Sequence, residues 1–217
     1  MKRRIVAMAA VFALAFPGVA LAAEGDGVIE GQVINGTAGG DSVAGLEVTF
    51  ERYFDGELDD SRLVATGEDG RFVVEAVPTG PEYYYRASLF YQDAEYFSDY
   101  AFFEDGETVA YAGVVVYDAT TNGDAISVAN SHTIVQVEGN GLYITEVYGF
   151  INDSDLTYVG KVEVGDGQFV TLSFPLPEDA SALSLGTGLM ECCIYGSDGG
   201  FVHTMPVLPG ETDVMFS

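Results

Sequence analysis

The sequence of 217 residues has no tryptophan, only two cysteines and two histidines, and few basic residues. Eight Lys and Arg stand against 34 Asp and Glu, which gives a formal net charge of −26. Because proteins bind nucleic acids and anionic lipids mainly through Lys and Arg, this charge excludes polyanionic partners. Hydrophobic residues make up 48% of the chain, so the acidity is compatible with a folded core.

The first 22 residues have the three parts of a secretory signal peptide. Lys2–Arg4 form a positive segment, an uncharged apolar run follows over Ile5–Phe16, and Ala20–Ala22 form a small-x-small cleavage site. The apolar run is short for a transmembrane helix, and an uncleaved anchor is the alternative. We expect cleavage after Ala22 and an extracytoplasmic protein, located in the periplasm, on the cell surface or outside the cell.

Cleavage would make the protein still more acidic. It removes three of the eight basic residues and no acidic one, which leaves five against 34 and a net charge of −29. No second apolar stretch is long enough to span a bilayer. The last residues, Val214–Ser217, resemble the middle of a strand, so one expectation is a chain that continues beyond Ser217.

After residue 23 the chain shows short apolar runs bounded by Gly, Asp and Asn turns, without a sustained helical period. The predicted strands are 28–34, 46–53, 62–66, 71–77, 83–91, 108–117, 133–138, 142–151, 158–164, 169–174, 189–195, 201–205 and 213–216. Many short strands separated by turns are typical of antiparallel sandwiches. We therefore predict an all-β protein with two tandem antiparallel β-sandwich modules of immunoglobulin or transthyretin type, over 24–118 and 119–217, the second of them incomplete if the chain continues.

Three segments of the first half have a characteristic spacing. They are Gly31-Gln32-Val33-Ile34-Asn35, Val43-Ala44-Gly45-Leu46-Glu47-Val48 and Thr66-Gly67-Glu68-Asp69-Gly70-Arg71-Phe72. This pattern resembles the carboxypeptidase regulatory-like domain, a transthyretin-like sandwich. The resemblance implies an accessory module that supports folding, adhesion or carbohydrate contact and carries no catalytic residues. The chain departs from the family by an acidic insert over 55–60 and by aromatic loops after Glu82.

Signatures of catalysis are weak. The two histidines are His132 and His203, and no G-x-S-x-G nucleophile elbow is present. Pairs of carboxylates cannot be singled out, because 34 acidic residues guarantee chance proximity. We expect a protein that is not an enzyme.

An unusual group of sulfur and imidazole side chains lies near the end of the chain. Its members are Met190, Cys192, Cys193, His203 and Met205. Such ligands suit Cu(I) or zinc, and two predicted strands joined by a turn over 197–200 could bring them together. The alternatives are packing in the core and an oxidised cysteine pair, which would require a bent backbone instead of a strand.

Acidic residues at alternating positions offer oxygen ligands of the kind that Ca²⁺ prefers. They are Asp55, Glu57, Asp59, Asp60, Asp153 and Asp155. The first loop lacks the glycine and the terminal glutamate of an EF-hand, and solvated acidic turns are the alternative.

Residues 83–103 are rich in Tyr and Phe. The candidate ligand-binding residues here are Tyr84, Phe90, Tyr96 and Tyr100. One face of this stretch must enter the core, whereas the other could stack on sugars or pack against a protein. The lack of tryptophan weakens the sugar interpretation, and packing of all these rings within the fold is the alternative.

Three functions follow from these patterns. The first is an exported binding or adhesion module at the cell envelope that contacts carbohydrate or protein. The second is a structural subunit or stalk segment of a surface assembly, held by strand pairing and including self-association. The third is a copper- or zinc-handling protein.

Overall fold

The structure is a computed structural model that describes residues 25–139, 141–165 and 167–217. The predicted signal peptide, residues 1–22, lies outside the described residues. In the described part, regular structure is β except for a single 3₁₀ turn at Glu191–Cys193. The predicted all-β class is therefore confirmed, whereas the division into two tandem modules stays a prediction.

The first half of the chain contributes seven strands to two sheets. The strands are β1 (Gly27–Asn35), β2 (Glu47–Phe54), β3 (Glu57–Ala65), β4 (Arg71–Val77), β5 (Tyr83–Tyr91), β6 (Ala94–Phe97) and β7 (Val109–Val116). One sheet has the order β4-β1-β7 and the other has the order β3-β2-β5-β6. All pairs in these two sheets are antiparallel except β1 and β7, which run parallel.

Alternation along these strands builds the first hydrophobic core. In β1, Ile29 and Val33 point inward and are fully buried, whereas Glu30 and Ile34, which each follow one of them, are exposed. The inward residues of both sheets form one cluster drawn from residues 29–116. Each fully buried large side chain of this kind stabilises the fold by about 1.5–3 kcal/mol.

Two backbone features keep the core faces in register. A Cβ at Gly31 would collide with the ring of Phe72, so glycine is needed where this ring crosses β1. Ala76 has a positive φ of 57° and lies at a register shift between β1 and β4. This bulge inserts one residue, and Val77 consequently still points into the core.

The second half contributes ten shorter or less regular strands. They are β8 (Ala119–Thr120), β9 (Ile126–Glu138), β10 (Gly141–Asn152), β11 (Thr157–Tyr158), β12 (Val162–Gly165), β13 (Gln168–Val170), β14 (Leu172–Pro175), β15 (Ile194–Ser197), β16 (Gly200–His203) and β17 (Gly210–Phe216). Two sheets have the orders β17-β10-β9 and β14-β16-β15, and two further pairs are β11-β8 and β12-β13.

A second hydrophobic cluster lies between the two three-stranded sheets of this half. Phenylalanine rings dominate it: Phe174 lies 5.0 Å from Phe201, and Phe201 lies 5.0 Å from Phe216, measured between ring centroids. The buried members of this cluster come from residues 150–216, separate from the cluster of the first half.

Asp118 lies where the two halves meet, and its backbone carbonyl oxygen accepts a hydrogen bond of 2.9 Å from the N–H of Thr157. Its carboxylate accepts hydrogen bonds from Asn35 Nδ2 and from the Tyr91 hydroxyl, both at 2.7 Å. Burial acts to raise the pKa of Asp118, but these hydrogen bonds outweigh it and the pKa is lowered. Next to Asp118, β8 pairs in parallel with β11, which belongs to the second half.

The acidic insert over 55–60 is a hairpin. Strand β3 begins at Glu57, five residues before the predicted start at Arg62, because the turn at Asp55-Gly56 has positive φ at both residues. The Arg52 guanidinium lies 2.7 Å from Asp59, and this ion pair holds the two strands together across the hairpin. Sequence reasoning missed this strand because three carboxylates interrupt its apolar pattern.

Candidate functional site

The outer face of the β3-β2-β5-β6 sheet carries a cluster of aromatic rings around one arginine. Because side chains alternate along a strand, the buried Tyr85 points inward and its neighbours Tyr84 and Arg86 point outward. Their cross-strand partners on β2, Tyr53 and Glu51, share that outer face. We call the group Tyr53, Tyr84, Arg86, Phe97 and Tyr100 the aromatic face.

The rings of the aromatic face hold each other in fixed orientations. Tyr53 and Tyr84 are stacked with centroids 4.9 Å apart and an interplanar angle of 2°. Tyr100 meets both of them edge-on, at 5.1 Å from Tyr84 and 6.0 Å from Tyr53. Stacked and edge-on pairs add about 0.5–1.5 kcal/mol each beyond the burial of their area, so the cluster is well ordered before it meets a ligand.

Arg86 lies at the centre of this arrangement. Its guanidinium carbon is 4.6 Å from the ring centroid of Phe97 and 5.5 Å from that of Tyr100, both cation–π distances. Nη2 of Arg86 donates a hydrogen bond of 3.0 Å to Glu51, which also accepts one of 2.8 Å from the Tyr53 hydroxyl. Burial acts to lower the pKa of Arg86, but the Glu51 hydrogen bond outweighs it and the pKa is raised.

Large hydrophobic side chains are exposed around the aromatic face. Phe90, on the same side of β5 as Arg86, is 73% exposed. The other exposed members are Leu58, Leu63, Phe97, Tyr100 and Phe102. A contiguous exposed apolar patch on a monomer commonly marks an interaction site.

A groove lies beside this patch. It has a volume of about 430 Å³ and is lined by Tyr100 and Phe102 on one side and by Val109 and Tyr111 of β7 on the other. Its carboxylates, Glu30, Glu104 and Glu107, make it acidic.

The structure separates the four predicted ligand-binding residues. Tyr84, Phe90 and Tyr100 lie on or beside the aromatic face. Tyr96 is only 2% exposed, and its hydroxyl donates to the Tyr117 carbonyl oxygen at 2.9 Å. Tyr96 pairs with the buried Leu89 across β5 and β6, which puts its ring on the inner side of the sheet and out of reach of a ligand.

Sequence reasoning missed Tyr53, Arg86 and Phe97. Arg86 lies between the run Tyr83–Tyr85 and Ala87. Its position two residues after Tyr84 indicates that the two side chains lie on the same face of a strand. The partnership with Tyr53 and Glu51 depends on the register of β2 against β5, which alternation alone does not determine.

The residues of the predicted sulfur and imidazole group differ widely in burial. The predicted strand over 189–195 begins as the 3₁₀ turn Glu191–Cys193, where Cys192 is exposed and Cys193 is half-buried, both as free thiols. Burial, with a hydrogen bond to Cys192, raises the pKa of the Cys193 thiol to about 11. Met190 is exposed and Met205 is half-buried.

His203 is the member of this group that the fold encloses most. It is 4% exposed on β16, opposite Leu172 and Ile194, and neither ring nitrogen has a hydrogen-bond partner. Burial lowers the pKa of His203 to about 4, so the imidazole is neutral at physiological pH. Among residues 25–139, 141–165 and 167–217, no three His, Cys, Asp or Glu side chains are arranged to hold a metal ion.

The acidic residues proposed for calcium have partners of their own. Asp59 binds Arg52, and Asp60 binds Arg62 Nε at 2.8 Å, which lowers the pKa of Asp60. Asp155 Oδ2 accepts a hydrogen bond of 2.8 Å from the backbone N–H of Ala38. These contacts favour structural roles in the β2–β3 hairpin and between the two halves.

Comparisons with known proteins add no family. The chain matches no protein-family model and no curated protein. In the part of the chain that the structure describes, no helix has the length and apolarity needed to cross a membrane.

Proposed function

We propose that this protein is an extracytoplasmic, non-enzymatic binding module that contacts a carbohydrate or protein partner at the cell envelope through its aromatic face. The observation that carries this proposal is the exposed aromatic cluster whose rings are fixed by each other and by Arg86. Preorganised aromatic and arginine side chains are the residues that dominate binding energy in interfaces. The resemblance to carboxypeptidase regulatory-like domains is part of the proposal and rests on its sequence motif alone.

The ring geometry favours a protein partner over a sugar. A sugar stacks on the flat face of an aromatic ring, but Tyr53 and Tyr84 cover each other's faces at 4.9 Å. What they present outward is ring edges, together with the exposed Phe90, Leu58 and Leu63. Such a surface suits apolar side chains of another protein, with Arg86 and Glu51 supplying polar contacts.

The surrounding charge restricts the partner further. With a net charge of −26, the protein attracts basic surfaces and repels acidic ones. The acidic groove beside Tyr100 extends this preference to the edge of the aromatic face. We therefore expect the partner to present apolar residues flanked by Lys or Arg.

Binding of the labelled protein to envelope fractions of the producing cells tests this proposal. The double variant Phe90→Ala/Tyr100→Ala should weaken saturable binding about tenfold or more, since both side chains are exposed and contribute contact area. Phe169→Ala is the matched control, because Phe169 is an exposed aromatic residue (39% exposed, against 52% for Tyr100) but lies on β13 of the second half. Phe169→Ala should bind like the unchanged protein.

Two treatments of the envelope fraction identify the partner class. Protease should abolish binding if the partner is a protein, whereas periodate oxidation should do so if it is a carbohydrate. The proposal is overturned if no saturable binding is found, or if Phe169→Ala reduces binding as much as the double variant.

A further inference from the structure

Strand β9 has an open edge along its whole length. With 13 residues it is the longest strand described, and it pairs only with β10. On the other side of β10, the described part of strand β17 pairs with Glu146–Asn152. Residues 133–138 and 141–145 therefore project as a two-stranded ribbon, which we call the arm.

Apart from a bulge at Ala129, the edge of β9 lacks the features that normally prevent strand pairing. Proteins protect open edges with charges, prolines or very short strands. Strands β3, β4 and β17 follow this rule because they carry charged residues, which include Glu57, Asp59, Asp60, Arg71, Glu75, Glu211 and Asp213. Strands β14 and β15 follow it because they are short, with four residues each. The only Asp, Glu, Lys or Arg residue in β9 is Glu138, at the end of the strand. The strand also contains the exposed His132, and it contains neither proline nor glycine.

One face of the arm is apolar and lies on the same side of β10 as the second hydrophobic core, with Glu146 between the two. Leu142 and Ile144 lie on the same side of β10 as Tyr148 and Phe150, which pack in or against that core. Their cross-strand partners on β9 are Val137 and Val135. Val137 is 80% exposed and Leu142 is 63% exposed, so this apolar face is uncovered among the described residues.

Charge determines which occupant fits this edge. Two copies of a chain with a net charge of −26 repel each other across most of their surfaces. The stretch from Ile126 to Val137 has no carboxylate, so a second copy can approach here without opposing like charges. A basic partner, by contrast, would gain more from the acidic surfaces elsewhere on the molecule.

We propose that two copies of this protein pair β9 with β9, antiparallel about a two-fold axis. The two β17-β10-β9 sheets then become one six-stranded sheet in which both open edges of β9 are satisfied. Antiparallel pairing over the full strand places the arm of each copy beside the base of its partner's β9, near residues 126–131. This self-association goes beyond the proposed function and does not depend on the aromatic face.

Sedimentation velocity over a range of protein concentrations, in reducing buffer, tests the pairing. We expect a reversible dimer whose Kd falls as salt rises, because salt screens the repulsion between the two acidic copies. Val135→Lys/Val137→Lys places charges on the open strand and should raise the dimer Kd about tenfold or more. Val73→Lys is the matched control, since Val73 on β4 is 52% exposed and Val135 is 54% exposed, and it should leave the dimer intact.

Hydrogen exchange locates the interface independently of the variants. At concentrations that favour the dimer, amides of β9 should exchange more slowly than at concentrations that favour the monomer. In Val135→Lys/Val137→Lys they should exchange at the monomer rate at both concentrations.

Three results would overturn the pairing. The first is a monomer at all concentrations and salt levels, and the second is β9 exchange that does not depend on protein concentration. The third is a dimer that survives Val135→Lys/Val137→Lys but is lost in Phe90→Ala/Tyr100→Ala, which would move the interface to the aromatic face. The third result would contradict pairing through β9. Failure of envelope binding alone would contradict the proposed function and would leave the dimer proposal unaffected.

Discussion

The aromatic face and the arm are both exposed and apolar, but they differ in what holds their side chains. On the aromatic face, each ring lies against another ring or against Arg86, and Glu51 binds Arg86 in turn. On the arm, exposed aliphatic residues such as Val137 follow a ribbon of two strands that no third strand extends. The aromatic face is already ordered, so a separate partner can bind to it at low entropic cost. The arm leaves apolar residues uncovered, so pairing with another sheet can bury them.

The two halves of the chain also differ in how their sheets cover the hydrophobic core. In the first half, a three-stranded and a four-stranded sheet cover one core whose largest buried side chains include Tyr85 and Phe50. In the second half, two three-stranded sheets enclose a smaller cluster, and the long hairpin of β9 and β10 extends past it. The exposed apolar residues of the first half thus lie on the outer face of a complete sheet. Those of the second half lie on a hairpin that extends past the core.

The largest expected effect comes from breaking one core at a time. Phe50→Ala and Phe174→Ala each remove a buried ring, and each should cost about 3–5 kcal/mol of unfolding free energy. Because the two buried clusters are separate, we expect two transitions in calorimetry and urea unfolding, with each variant shifting one of them. Phe90→Ala, at an exposed position, is the control and should shift neither.

A single transition that both variants lower equally would contradict this comparison. It would mean that the contacts around Asp118 couple the two halves into one cooperative unit, and that the predicted division between 118 and 119 does not describe unfolding.

A smaller effect, confined to the second half, is expected from His203. The folded-state pKa of about 4 lies below the ordinary histidine value of about 6.5, because the buried ring has no hydrogen-bond partner. Stability is therefore unaffected above pH 6.5, and it falls by about 1.4 kcal/mol per pH unit as pH decreases from about 6.5 to about 4, where the unfolded chain binds a proton and the folded one does not.

Urea unfolding at pH 7 and pH 5 checks this dependence. His203→Leu should remove the histidine contribution from the transition of the second half, whereas His132→Gln, at an exposed position, should behave like the unchanged protein. Equal loss of stability between the two pH values in the unchanged protein and in His203→Leu would refute the assignment.

The smallest effect is expected from Arg86→Lys. Lysine keeps the charge but loses the planar guanidinium that lies over Phe97 and binds Glu51, so stability should fall by about 0.5–1 kcal/mol. Arg71→Lys is the control, because Arg71 is largely exposed and lies 3.5 Å from Asp69. Near-ultraviolet circular dichroism of the tyrosines should change in the first variant only, and an identical signal in both would show that Arg86 does not order the rings.

Much of the first half could be predicted from the sequence, because alternation there is regular. The predicted bounds of β4 and β5 agree with the structure, and Val33, Val48 and Phe72 are buried. The first part of the acidic hairpin was not predicted, because Asp59 and Asp60 are typical of a loop in the sequence. In the structure they pair with Arg52 and Arg62, and these pairings cannot be seen in the local sequence pattern.

Less of the candidate site could be predicted. Tyr84, Phe90 and Tyr100 were singled out as aromatic residues near a strand, but Tyr96 has the same local composition and is buried. The strand predicted over 189–195 failed at the cysteines, because Glu191–Cys193 form a 3₁₀ turn before β15 begins. Local pattern does not specify which side of a short strand faces the core.

The sequence by itself determined the all-β class and the strong acidity, since both follow from local alternation, turn residues and composition. Only the tertiary structure decided that Arg86 gathers the rings of Tyr53, Phe97 and Tyr100, and that β9 is left with an open edge. The physical reason is that these features depend on strand register and sheet order, which are fixed by contacts between residues far apart in the chain.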